Sequence, residues 1–145
     1  MQVFERSTRI ARRPDEVWAV LTDWERATEW MPGVASLAPV GAQDGAGTTL
    51  RFSSRGRAHD AVVRVWEPAR RLVLESTQGG VTATYEYLLD THGADGGATE
   101  MRMLASCETR GLPLRLLSPL LALVMRLTDG PQLRRFKATV ERPAA

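Results

Sequence analysis

The amino-acid sequence predicts an α+β fold in which one antiparallel sheet packs against a long C-terminal helix. Between residues 34 and 108, glycine and proline recur at intervals that leave only strand-length segments between them. Within these segments charged and apolar residues alternate, which is typical of a sheet with one covered and one solvated face. Residues 114–141 then carry apolar side chains at helical spacing, so this segment is the element that can cover the sheet.

The composition is that of an ordinary globular protein. The chain has 145 residues, of which 43% are hydrophobic and 25% are charged. This length fits a single domain, residues 1–145, with a core of its own. The 19 basic and 17 acidic residues give a net charge of +2, and nucleic-acid binding needs a basic patch rather than a small excess. We therefore expect no nucleic-acid partner.

Cysteine usage and apolar segments restrict the cellular setting. Cys107 is the single cysteine and the chain has two histidines, so we expect no disulfide, no metal site and no cofactor. The N-terminal residues lack the apolar run of a signal peptide. The longest apolar segment, Leu112–Leu127, is interrupted by prolines and arginines and is shorter than the ~20 residues of a membrane span. These features predict a cytoplasmic protein without a transmembrane segment.

The first third of the chain predicts a strand followed by two short helices. Residues 3–11 mix β-branched and aromatic residues with polar ones, as in a strand. Pro14 suits the first position of a helix that runs to about Thr22, with acidic residues in its first turn. Residues 24–30 predict a second short helical segment, which ends before Pro32 because the residue before proline disfavours helix.

Six further strands are predicted between the turn signals. They are Val34–Val40, Thr48–Ser54, His59–Glu67, Leu72–Thr77, Val81–Leu89 and Ala98–Glu108. Charged residues such as Arg51, Arg64, Glu75, Glu86 and Arg102 mark the solvated face. Strict alternation then directs inward Leu50, Phe52, His59, Ala61, Val63, Val65, Leu72, Leu74, Val81, Ala83, Tyr85, Tyr87, Leu89, Met101, Met103, Ala105 and Cys107.

The C-terminal segment Leu114–Glu141 predicts the long helix. Its first half is apolar nearly all round, which indicates burial on more than one side. Pro119 and Asp129-Gly130-Pro131 interrupt the pattern and predict a kink or a break.

The order of these elements, and the glycine and proline residues between them, resemble those of a known superfamily over essentially the whole chain. The residues that carry the likeness are Pro14-Asp15-Glu16-Val17-Trp18, Trp30-Met31-Pro32-Gly33, Val65-Trp66-Glu67-Pro68, Gly97-Ala98-Thr99 and Leu133-Arg134-Arg135-Phe136-Lys137. The sequence resembles the START-like superfamily, also called SRPBCC or polyketide cyclase/dehydrase-like. That resemblance implies the helix-grip fold, a curved seven-stranded antiparallel sheet around a long C-terminal helix. It also implies an apolar cavity for lipids, sterols, polyketides or plant hormones.

The inward residues are the candidates for lining such a cavity. A small-molecule pocket needs an apolar wall with a few polar groups that orient the ligand. From the sheet we expect Leu50, Phe52, His59, Ala61, Val63, Leu72, Leu74, Tyr85, Tyr87, Met101, Met103, Ala105 and Cys107, and from the helix Leu117, Leu120, Leu121, Val124 and Met125. The alternative is that these side chains fill a solid core.

Three functions remain open from the sequence. The first is binding or carriage of a hydrophobic small molecule such as a lipid or a polyketide-like compound. The second is an aromatase/cyclase-type enzyme in which His59 acts as acid or base and the hydroxyls of Tyr85 and Tyr87 stabilise an enolate. The third is a partner- or membrane-contacting domain, or a homodimer, that uses Leu112–Leu127. Cys107 is interpreted as a small buried hydrophobe rather than a nucleophile.

Overall fold

The structure, a computed structural model, describes residues 2–41, 44–111 and 131–142. Strand β1 (Gln2–Ile10) is followed by helix α1 (Pro14–Leu21) and a 3-10 helix (Trp24–Glu29). The remaining strands and the last helix are β2 (Val34–Val40), β3 (Thr49–Ser54), β4 (Arg57–Glu67), β5 (Arg71–Gln78), β6 (Val81–His92), β7 (Ala98–Thr109) and α2 (Gln132–Glu141). The first part of the predicted long helix, residues 114–130, lies outside the described residues.

The described strands form one seven-stranded sheet in the order β1-β7-β6-β5-β4-β3-β2. Every neighbouring pair is antiparallel. Consecutive strands from β2 to β7 are neighbours because each is joined to the next by a short connection, and β1 closes the order beside β7. The predicted α+β fold with its antiparallel sheet and C-terminal helix is confirmed.

Two tight turns lie at the same end of the sheet, which we call the hairpin end. Arg55 and Gly56, with φ of 54° and 77°, join β3 to β4. Gly79 and Gly80, with φ of 55° and 82°, join β5 to β6. Positive φ at both central residues matches the right-handed twist of the flanking strands. Because β3 and β5 run in the same direction, both turns fall at one end of the cavity described below.

The inner face of the sheet packs against the helices to form the core. Leu50, Leu72, Met101 and Met103 are fully buried there. The helices contribute two sets of apolar side chains to the same cluster, Val17, Trp18 and Leu21 from α1 and Leu133, Phe136 and Val140 from α2. The alternation in the sequence therefore places the sheet's apolar residues against the helices.

One predicted inward position is wrong because of a β-bulge in β4. Val63 is opposite Leu74, but the next pair is Val65 opposite Val73, so Arg64 is an extra residue in the ladder. The bulge reverses the alternation: Val65 shares a pair with an outer-face residue, and Trp66 comes opposite Leu72 on the inner face. Trp66 there packs edge-on against Trp18, with ring centroids 5.2 Å apart.

The outer face carries paired charges. Arg51 bonds Asp60 at 3.1 Å, Arg71 bonds Glu86 at 2.5 Å, and Arg102 lies 3.4 Å from Glu5. Each pair joins two neighbouring strands, and the side chains are partly exposed. Such pairs contribute little to stability individually, but they mark this face as the one in contact with water.

The C-terminal helix is fastened to the end of β1 by one carboxylate. Oε2 of Glu141 accepts a hydrogen bond of 2.7 Å from the backbone N–H of Ala11 and one of 3.0 Å from Nζ of Lys137. Nζ of Lys137 also donates to the carbonyl oxygen of Arg9. The backbone hydrogen bond from Ala11, with support from Lys137, lowers the pKa of Glu141 below its usual value.

Candidate functional site

A cavity of about 600 Å³ lies between the inner face of the sheet and the segments that cover it. This volume falls within the range of small-molecule sites, ~300–1,000 Å³. The wall consists of Met31, Pro32, Val34, Leu37, Leu50, Phe52, Ser54, Arg55, Arg57, His59, Ala61, Leu74, Glu75, Ser76, Gln78, Val81, Ala83, Tyr85, Tyr87, Cys107 and Gln132. Its middle is apolar, and its polar groups concentrate toward the hairpin end.

Part of the predicted lining set reaches this wall. The residues that do so are Leu50, Phe52, His59, Ala61, Leu74, Tyr85, Tyr87 and Cys107. They come from β3, β4, β5, β6 and β7, and their shared face follows from alternation along each strand. Leu117, Leu120, Leu121, Val124 and Met125, predicted from the helix, lie outside the described residues, as does the segment Leu112–Leu127.

Another part of the predicted set fills the core beside the cavity instead. Val63, Leu72, Met101, Met103 and Ala105 are at most 1% exposed and do not line the wall. Their inward direction is as predicted, and all five belong to the buried cluster that also contains side chains of both helices. Alternation predicts which face a side chain is on, and it does not predict where that face meets a helix and where it meets a void.

Several lining residues were absent from the sequence prediction. Met31, Pro32, Val34 and Leu37 enter from the segment after the 3-10 helix and from β2. Arg57 lies two residues before His59 on β4, and Ser76 and Gln78 lie two and four residues after Leu74 on β5. Alternation extended to the ends of these strands therefore places all three on the inner face. Arg57 and Gln78 lie beyond the ends of the predicted strands, and Ser76 is polar, so a search for apolar positions within those strands omits all three. Gln132 carries no sequence signal, because its direction depends on the placement of α2.

A buried polar pair closes the inner end of the cavity. The hydroxyl of Tyr87 donates a hydrogen bond of 2.5 Å to Oε1 of Gln132. The residues are 1% and 6% exposed respectively, so this bond forms in a low-dielectric setting where an unmade bond is costly. The ring of Trp30 lies edge-on to Tyr87, with centroids 6.2 Å apart, and to Phe136 at 4.8 Å. These contacts fix the position of the tyrosine ring.

The polar groups at the hairpin end are partly exposed. The imidazole of His59 lies 5.5 Å from the ring of Phe52, measured between centroids. Arg55 lies in the turn between β3 and β4, Arg57 is the first residue of β4, and Ser76 and Gln78 lie near the end of β5. This end of the cavity therefore presents cationic and neutral polar groups to a bound molecule, while the carboxylate of Glu75 is paired with Arg64.

The three residues considered for acid–base chemistry share the cavity but are spread along it. Tyr85 is opposite Leu74, which is opposite Val63, and His59 lies four residues before Val63 on β4. Four residues correspond to about 13 Å along a strand, and two further strand spacings of about 4.8 Å separate the backbones across the sheet. A molecule between His59 and Tyr85 has to be extended to touch both.

Cys107 has the properties of a buried hydrophobe. It is 4% exposed, and burial raises the pKa of its thiol. A raised pKa keeps the sulfur protonated near neutral pH, whereas the thiolate is the nucleophilic form. The side chain therefore suits the cavity wall better than it suits covalent catalysis.

Two further observations concern metals and membranes. In the ranges that the structure describes, no three or more His, Cys, Asp or Glu side chains are grouped so that they could hold a metal ion. The described helices include none that is long and apolar enough to cross a membrane.

The fold and the cavity together define a class of protein in which a curved antiparallel sheet and a C-terminal helix enclose a small-molecule-sized space. The chain belongs to the family described as polyketide cyclase / dehydrase and lipid transport, whose match covers residues 1–141. The resemblance to the START-like superfamily is thereby confirmed. No protein with curated annotation matches the sequence.

Solved structures share the fold at low sequence identity. The aromatase/cyclase ZhuI from a Streptomyces species has a TM-score of 0.75 and 17% identity, with 96% of this chain and 93% of that chain covered. Ara h 8.0201 has a TM-score of 0.65 and 16% identity, with coverage of 94% and 95%. A protein from Thermus thermophilus has a TM-score of 0.69 and 20% identity, with 94% of each chain covered. At these identities the likeness concerns the fold alone.

Proposed function

We propose that this protein binds a hydrophobic small molecule, such as a lipid or a polyketide-like compound, in the cavity between the sheet and the C-terminal helix. The observation that carries the proposal is the cavity itself, about 600 Å³ with an apolar middle formed by residues such as Leu50, Leu74 and Ala83. Burial of apolar surface there supplies affinity, at roughly 25 cal/mol per Å² before the costs of association. The family match to lipid transport and polyketide cyclases supports this class of ligand.

The polar groups of the wall fit an orienting role in this proposal. The Tyr87–Gln132 pair stands at the inner end, and the partly exposed polar side chains stand at the hairpin end. An apolar molecule with oxygen functions at its ends satisfies both regions without leaving a polar group unpaired.

A neutral fluorescent probe tests the proposal. N-phenylnaphthylamine fluoresces strongly when it leaves water for an apolar site, so titration with the purified protein is expected to give saturable binding. Ala83→Phe fills the cavity from its wall and is expected to weaken that binding at least tenfold. The matched control is Ala58→Phe, the same substitution at an exposed, outward position of β4. Equal binding by both variants, or no binding by the parent protein, would contradict the proposal.

The second candidate function is an aromatase/cyclase-type enzyme. The observation that favours it is that His59, Tyr85 and Tyr87 all line the same cavity. The hydroxyl proton of Tyr87 is directed to Gln132, and the spread of His59 and Tyr85 along the sheet requires an extended substrate. His59→Ala separates the two functions: a carrier retains its affinity for N-phenylnaphthylamine and for a poly-β-ketone substrate, whereas a cyclase loses turnover of that substrate.

A further inference from the structure

Two arginines at the hairpin end of the cavity wall have no acidic partner in the described part of the chain. Arg57 lies on the same face of β4 as His59 and Ala61, at alternate positions along the strand. Arg55 lies in the turn that precedes β4. Both side chains line the cavity and are exposed at its edge. The acidic residue of the wall, Glu75, is already bonded to Arg64 at 3.1 Å.

Arginines on the outer face of the sheet are paired instead. Arg51, Arg71 and Arg102 each face a carboxylate on a neighbouring strand. Around Arg55 and Arg57 the wall offers Ser54, Ser76, Gln78 and His59, none of which carries a negative charge. Within the described wall the positive charge at this end therefore faces no unpaired carboxylate, and it is available to a bound anion.

The backbone of Arg55 supplies an independent observation. Its φ of 54° is in the left-handed region, and it stands at the first central position of a two-residue turn. Asn, Asp and Gly are preferred there because other side chains are strained at positive φ. Gly56 follows this rule and Arg55 does not. A residue that departs from the local turn chemistry beside a cavity points to a role for its side chain in that cavity.

We propose that the ligand is an amphiphile whose anionic group, a carboxylate or a phosphate, is held by Arg55 and Arg57 while its apolar body lies against the middle of the cavity. Guanidinium groups bind both anions through paired, charge-assisted hydrogen bonds. This inference rests on the proposed function, because it takes the cavity as the binding site. It adds the class of ligand and the direction in which the ligand lies.

A matched pair of probes separates the anionic group from the apolar body. Anilinonaphthalene sulfonate has the ring system of N-phenylnaphthylamine with an added sulfonate. We expect the parent protein to bind the sulfonate about tenfold more tightly, equivalent to about 1.4 kcal/mol. In the double variant Arg55→Asn/Arg57→Gln the ratio of the two affinities is expected to fall to about one. The sulfonate's advantage should also shrink as salt is added, because the arginines are exposed.

The control variant changes the same net charge on the opposite face. Arg51→Gln/Arg102→Gln removes two outer-face arginines, and we expect it to retain the preference for the sulfonate. A preference that is absent from the parent protein, survives in Arg55→Asn/Arg57→Gln, or disappears equally in the control would overturn the inference. Binding of neither probe would instead overturn the proposed function, so the two failures are distinguishable.

Displacement of bound N-phenylnaphthylamine identifies the anionic group. Dodecanoate and dodecyl phosphate share one alkyl chain with the neutral dodecanol. Stronger displacement by either anion than by dodecanol supports the inference, and the stronger of the two anions names the group. Equal displacement by all three would contradict it.

The single variant Arg55→Asn controls for unfolding. Its thermal midpoint is expected to rise, since asparagine relieves the strained turn. Weaker anion binding by a variant with a raised midpoint does not come from unfolding.

Discussion

The hydroxyl of Tyr87 on β6 is hydrogen-bonded to the side-chain oxygen of Gln132 on α2, at 2.5 Å, and this contact joins the sheet to the C-terminal helix at the inner end of the cavity. Both groups are more than nine-tenths buried. The bond therefore stabilises the fold, and it holds two residues of the cavity wall in place.

Tyr87→Phe is expected to lower the free energy of unfolding by about 1–3 kcal/mol, because it leaves the buried oxygen of Gln132 without its donor. The double variant Tyr87→Phe/Gln132→Leu removes both polar groups and should recover most of that loss. Urea unfolding of the parent, both single variants and the double variant measures the coupling. Additive losses in the double variant would show that the bond does not stabilise the fold.

The distinction between core and cavity wall predicts opposite effects for two apolar residues. Met103 is fully buried among other side chains, so Met103→Ala is expected to cost about 2–5 kcal/mol of unfolding free energy. Phe52 lines the cavity and is partly exposed, so Phe52→Ala should cost about 1 kcal/mol yet weaken binding of N-phenylnaphthylamine more. Urea unfolding and probe titration of both variants compare the effects. The reverse order in either measurement would contradict these placements.

Glu141 is expected to make stability depend on pH in the acidic range. Its pKa is lowered in the folded state by the backbone N–H of Ala11 and by Lys137, so its contribution is present above its unfolded pKa. The contribution is lost as the pH falls through the folded-state pKa. Glu141→Gln should cost about 1 kcal/mol at pH 7, and urea unfolding should show a smaller difference near pH 3. An equal difference at both pH values would contradict the assignment.

The single cysteine reports on access to the cavity wall. Cys107 is buried and its thiol pKa is raised, so iodoacetamide is expected to modify it near pH 8 at least tenfold more slowly than in the urea-unfolded chain. Saturation with N-phenylnaphthylamine should slow the reaction further, because Cys107 is part of the wall. Mass spectrometry of timed samples measures both rates. A folded protein that reacts as fast as the unfolded chain would show that the thiol is open to solvent.

Alternation predicted the sheet and most of its faces because one buried face imposes a period of two on each strand. It failed at Val65, where the bulge around Arg64 reverses the direction of the following residues. The reversal turns the side chain of Trp66 to the inner side, where it contacts Trp18 and Trp24. No glycine or proline marks the bulge in the sequence, and the contacts of Trp66 with α1 and the 3-10 helix join segments that are distant along the chain.

The candidate site was only partly predictable for a related reason. Alternation of apolar residues identified Leu50, Phe52 and Leu74 as lining the cavity. The same rule also selected Met101 and Met103, which are fully buried in the core and do not line the cavity. Arg57 was assigned to no face because the predicted strand began at His59, whereas β4 begins at Arg57. The partner of Tyr87 depends on the placement of a helix distant in sequence, which no local pattern contains.

The most direct test of the central claim, that the cavity binds a hydrophobic small molecule, is a crystal structure of the protein with bound dodecanoate. We expect its alkyl chain between Leu50, Leu74 and Ala83, with its carboxylate toward the turn at Arg55. A ligand bound only on the outer face of the sheet, or a cavity filled by ordered water at saturating dodecanoate, would contradict the account.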